Sequence, residues 1–166
     1  MANPMYGQNK ADNAIDYSKS SAVHVNADTT LTESQSGATV FVNAAAVSVT
    51  LPAAKAGLKY KIIFGIATTA GADVLAASGD CFFGIVRLTS TTADQMGVPQ
   101  IITHATAIAA PTDYDTMDFV AATATIGGSA GDQVELVAVD DIAWHVNTTL
   151  TTSNANPGTV AVIIAS

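Results

Sequence analysis

The sequence predicts an all-β protein: an antiparallel β-sandwich or jelly-roll-like domain over residues 22–166, preceded by an extended N-terminal arm at residues 1–21. Three observations carry this. Apolar residues recur with period two, the signature of half-buried strands. Turn-forming residues punctuate the chain at short intervals. No segment keeps apolar residues at i, i+3, i+4 and i+7 for three turns, so crossover helices for a parallel sheet are not expected.

Taken in order, Val40 and Val42, then Val47, Val49 and Leu51, alternate inward. Leu58, Tyr60, Ile62 and Phe64 follow, opposite Lys59 and Lys61. Phe82 to Leu88, Gln100 to Ala105, Met117 to Ala121, Gln133 to Val139, Ile142 to Val146 and Thr159 to Ile164 continue the series, rich in Val, Ile, Thr and aromatic residues. About ten short strands are expected on this count. Between them lie Ser36-Gly37, Pro52 to Gly57, Ser78-Gly79-Asp80, Gly127 to Asp132, Asp140-Asp141 and Asn156-Pro157-Gly158. These read as antiparallel connections. Ser90 to Asp118 is the least regular stretch and reads as long loops around one strand. The arm is polar and aperiodic, with Tyr6, Ile15 and Tyr17 as isolated apolar points for contact with a neighbour.

Composition narrows the function. Six Lys and Arg against fourteen Asp and Glu give a net charge of −8, and the basic residues form no extended patch, so phosphate backbones are repelled and no nucleic-acid partner is expected. Charged residues make up 12% of the chain where about 25% is usual, which favours close contact with other subunits. No run of about 20 apolar residues exists for a membrane-spanning helix. The N-terminus lacks the apolar core of a signal peptide, so export by that route is not expected. The lone Cys81, beside Phe82 and Phe83, excludes a disulfide scaffold and reads as core packing.

Candidate chemistry is thin. Gly127-Gly128-Ser129-Ala130-Gly131 matches the G-x-S-x-G pattern, but a nucleophile elbow needs a helix after the serine and here the strand DQVELVAV follows. His24, His104 and His145 lack metal-ligand spacing. Asp113, Asp115 and Asp118 could gather around a hard cation, although the glycine and distal glutamate of a calcium-binding hand are missing, and a solvated acidic loop is the simpler reading. Asn147-Thr148-Thr149 matches a glycosylation acceptor, a short motif without a secretory signal. No pair of carboxylates is singled out as catalytic. A tight turn at Asp140-Asp141 would place Val137, Val139, Ile142 and Trp144 on one face, Trp144 in the core, and His145 beside Leu136 on the other face. No catalytic residue, cofactor or metal is expected.

The run NAAAVSVTLPAAKAGLKYKIIFG, Asn43 to Gly65, resembles a segment of the small head decoration (cement) proteins of tailed phages: an apolar strand, a Leu-Pro turn, an Ala-Gly-Leu step and a second apolar strand. Three more pieces fit in the same order: LTESQSGATVFVN at Leu31 to Asn43, VLAASGDCFFGIV at Val74 to Val86, and GDQVELVAVDDIAWHV at Gly131 to Val146. Together they cover about two-fifths of the chain. Two departures are Asp140-Asp141, where related sequences have a Gly-rich turn, and Ser90 to Asp118, which looks like an insertion. The resemblance implies a non-enzymatic β-rich virion protein, often a homotrimer, bound to the major capsid protein on the outer capsid surface. An acidic protein suits that outer surface better than contact with packaged DNA. The arm with Tyr6, Ile15 and Tyr17 would bind the capsid. The alternative is a phage tail or fibre subunit, one that could bind carbohydrate.

Overall fold

The structure, a computed structural model, describes residues 22–69, 72–91, 99–109, 114–119, 127–152 and 162–164. The arm, with Tyr6, Ile15 and Tyr17, lies outside the described residues. The described chain is mostly β-strand, in one seven-stranded and one five-stranded sheet. The strands are β1 (Val23–Val25), β2 (Thr29–Thr30), β3 (Thr39–Val42), β4 (Val49–Thr50), β5 (Lys59–Phe64), β6 (Ala72–Leu75), β7 (Cys81–Ser90), β8 (Gln100–Ile102), β9 (Thr116–Phe119), β10 (Gln133–Ala138), β11 (Ala143–Thr152) and β12 (Ile163–Ile164). The larger sheet runs β1-β3-β5-β10-β11-β7-β8 and the smaller β12-β9-β6-β4-β2.

The expectation of purely antiparallel sheets is corrected. β1 pairs with β3, β3 with β5, β2 with β4, β4 with β6, and β11 with β7, all in parallel. From β1 to β7 the chain alternates between the two sheets, so each strand returns to its own sheet running in the same direction as before. A parallel pair needs a crossover connection, and helices are the usual one. Here the crossover is a strand of the other sheet, so no helix is required. Ser36-Gly37 and Pro52 to Gly57 therefore lie on passages from one sheet to the other instead of in hairpins.

Alternation places the core as expected. Along β5 every second residue is buried, with Tyr60, Ile62 and Phe64 inside while Lys59 is exposed. β3 buries Val40 and Val42, and β10 buries Val134, Leu136 and Ala138. These residues join Leu31, Val49, Leu51, Val74, Met117 and Phe119 in one cluster, and the Phe64 and Phe119 rings meet across the sheets at 4.7 Å. Each large side chain buried this way contributes roughly 1.5–3 kcal/mol.

Two local expectations change. Among its described residues, Ser90 to Asp118 holds β8, the start of β9 and a helix, α1 (His104–Ala109). The sequence HATAIA favours a helix, and Thr103 caps it by accepting the Thr106 N–H on Oγ1 at 3.2 Å, but six residues are too few to show a helical period. The β10–β11 turn spans Asp140 to Ile142, three residues and not two, since Val139 N donates to Ala143 O at 3.0 Å. That shift sets Val137 opposite His145 and Ala138 opposite Trp144. Trp144 is fully buried as expected, but Val139 and Ile142 are exposed. A one-residue slip moves a whole strand to the opposite face.

One side chain ties the sheets at their edges. Gln100 on β8 accepts N–H bonds from Val162 and Ile163 on Oε1, each at 2.9 Å, and donates from Nε2 to Ile163 O at 2.6 Å. Its amide thus pairs with the backbone beside β12 as a neighbouring strand would.

Candidate functional site

Ser129 sits in the turn before β10, with no helix behind it. Its N–H donates to Asp132 Oδ2 at 3.1 Å and its hydroxyl to Thr151 O at 3.4 Å. No histidine appears among these partners, so the G-x-S-x-G match is a turn held by Asp132. The Cys81 thiol is buried and donates weakly to Ile142 O at 3.5 Å. Burial, with the carboxylates of Asp140 and Asp80 nearby, pushes it up to about 11, so it stays protonated at neutral pH.

Asp113 lies outside the described residues. Asp118 faces Asp73 directly across the β6–β9 ladder. Burial first, then the charges of Asp118 and Asp28, raise the Asp73 carboxyl above its ordinary value of 3.8. Among the described residues no three His, Cys, Asp or Glu side chains are placed to hold a metal ion. Opposed like charges on a strand pair destabilise it. A raised carboxyl binds its proton in the folded state first, so the wild-type protein gains stability as pH falls from neutral through the folded value toward 3.8. Asp73→Asn should therefore stabilise the protein at neutral pH by a few tenths of a kcal/mol. Thermal melts at a series of pH values should show the advantage shrinking toward 3.8, and an advantage that grows on acidification would refute the like-charge account.

The structure brings together residues that spacing did not. His104, on α1, and His145, on β11, both contact Phe83, with ring centroids 4.8 and 5.1 Å away. His104 Nε2 lies 2.8 Å from Asp140 Oδ2 in the β10–β11 turn. Burial works to raise the Asp140 carboxyl, but hydrogen bonds from Ile142 N, His104 and Ala143 N, together with the His104 charge, hold it below its ordinary value. An ionised carboxylate only accepts, so Nε2 carries the proton in this pair. This contact joins α1 to the β10–β11 turn. Of the five exposed large apolar side chains among the described residues, Ile101, Ile108, Val139 and Ile142 lie on or within three residues of the segments so joined, and Ile101 is 64% exposed. Nothing in the sequence signalled this, since a contact over 36 positions leaves no mark in local spacing.

On the same sheet, His24 stacks on Phe41 at 5.5 Å. Asn147, of the glycosylation-like motif, is exposed on β11 and accepts from Arg87 at 3.1 Å. Among the described residues no helix is long and apolar enough to cross a membrane. Compared with protein-family models, curated proteins and solved structures, the chain matches none of them.

Proposed function

We propose that the protein is a non-enzymatic subunit that decorates and stabilises the head of a tailed phage, its two sheets forming a β-sandwich body bound to the major capsid protein as an oligomer. The observation that carries this reading is where the four resembling segments fall. Leu31 to Asn43 contains β3, Asn43 to Gly65 contains β4 and β5, Val74 to Val86 enters β7, and Gly131 to Val146 spans β10 and enters β11. In the larger sheet these segments supply the adjoining strands β3-β5-β10-β11-β7. The resemblance thus coincides with a continuous part of the fold, as a shared subunit body would require. Exposed Ile101, Ile108, Val139 and Ile142 offer apolar contact area for a neighbouring subunit. A subunit that binds only the assembled shell stabilises it by mass action.

Light scattering over a dilution series, beside co-sedimentation with undecorated heads of the phage that encodes the chain, tests the reading. The expected results are a trimer and saturable binding to heads. Ile101→Asp with Ile142→Asp should weaken self-association, and deleting residues 2–20 should leave the melting temperature unchanged while sharply weakening attachment. A full-length chain that does not bind heads at any concentration would end the proposal.

A further inference from the structure

The larger sheet has an opening in its middle. β10 stays paired with β5 down to Gln133, and β11 stays paired with β7 through Thr152, but β10 and β11 pair with each other only over Leu136 to Ala138 and Trp144 to Val146. Beyond that the two strands part, and a cleft of about 280 Å³ opens between them, lined by Gln133, Glu135, Asn147, Thr148 and Thr149.

Both ends of the cleft are held. At one end is the short ladder itself. At the other, the Asp132 carboxylate accepts from Thr151 N at 3.0 Å and from Thr151 Oγ1 at 2.8 Å. Between them the buried Thr148 hydroxyl donates to Gln133 O, drawing a side chain into the space between the strands. The cleft is therefore preformed, and a ligand that enters it loses little to rearrangement of its walls.

The lining selects a class of ligand. Gln133 and Asn147 bring amides that donate and accept, Thr149 a hydroxyl that does both, and Glu135 an acceptor. Charges of both signs border the opening: Lys61 Nζ lies 3.6 Å from Glu135 Oε1, and Arg87 bonds Asn147 at 3.1 Å. The one charged lining residue, Glu135, is already paired with Lys61, and Arg87 is engaged by Asn147, so what the lining offers a ligand is mainly uncharged donors and acceptors, which suits a neutral polar molecule. The volume lies just under the ~300–1,000 Å³ of ligand pockets, which suits one ring and not a chain of them. We propose that this cleft binds a single neutral polyhydroxylated ring, one sugar residue. The inference stands apart from the capsid reading and does not rest on it.

The test is an NMR titration of the ¹⁵N-labelled full chain with glucose, galactose, N-acetylglucosamine and, as the ionic comparison, sodium phosphate. The expected result is saturable shifts at residues 133–135 and 147–149 with at least one of the sugars, with a dissociation constant on the order of 1 mM. Asn147→Ala and Gln133→Ala, at exposed positions, should keep the rest of the spectrum and weaken binding about tenfold, as loss of a hydrogen-bonding group does. No saturable shift with any of the three sugars, shifts from phosphate as large as from sugar, or undiminished binding in both variants would each overturn the proposal.

Discussion

Gly84→Ala is expected to prevent folding at ordinary temperature, since of the described glycines its added methyl meets backbone most closely. Gly84 lies within β7 with φ of 131°, a conformation that L side chains rarely adopt. It sits opposite Val146 on β11, and an added Cβ would fall 1.9 Å from the Val146 carbonyl oxygen and 2.9 Å from its carbonyl carbon and nitrogen. Those are backbone atoms in a strand paired along its length, so neither side can give way without opening the β7–β11 ladder. The cost should exceed the ~4–5 kcal/mol that marks an exceptional substitution, against a total stability of about 5–15 kcal/mol. Gly79→Ala is the control. Gly79 also has positive φ, at 88°, but open space where its Cβ would go, so the loss there should be about 1–2 kcal/mol. Circular dichroism melts and soluble yield would measure both. A Gly84→Ala protein that melts within a few degrees of wild type would mean that β7 and β11 do not pack as described.

Asp132→Ala should be the next most damaging change, at about 3–5 kcal/mol. The buried carboxylate accepts from Gly128 N, Ser129 N, Thr151 N and Thr151 Oγ1, at 2.8 to 3.1 Å. It thereby holds the turn before β10 against the far end of β11, and alanine leaves those donors unpaired. Asp132→Asn keeps the shape but loses acceptor capacity, so it should fall between wild type and alanine. Burial raises this carboxyl above 3.8, against the pull of the hydrogen bonds from Thr151, Ser129 and Gly128. The folded state therefore binds the proton first, and wild type gains stability from this group as pH falls from neutral toward 3.8. The asparagine variant lacks that gain, so its deficit should widen over the same range, because wild type gains on the variant as pH falls, as it does on Asp73→Asn. Urea denaturation at several pH values reads both trends, and a deficit that narrows on acidification would contradict the burial account.

The sequence by itself determined which residues go inside. Period-two alternation, at positions such as Tyr60, Ile62 and Phe64, reports a face that must leave water, and that is a local property of each strand. The nature of the turn at Ser129 was legible for the same reason, because a strand visibly follows it. Trp144 was legible as core although the turn before it is one residue longer than the sequence suggests, because a large apolar ring is driven out of water whichever partner it faces. Strand direction was not legible. Turn residues mark where a strand ends but not which sheet the chain enters next, and the passage between sheets that makes β1, β3 and β5 parallel looks in sequence like a series of hairpins. The histidine pair against Phe83, the His104–Asp140 contact and the cleft between β10 and β11 all join residues that only the tertiary structure brings together. Local propensity acts over a few residues, whereas these features depend on how two long ladders, β10 with β5 and β11 with β7, hold strands that pair with each other over just three residue pairs.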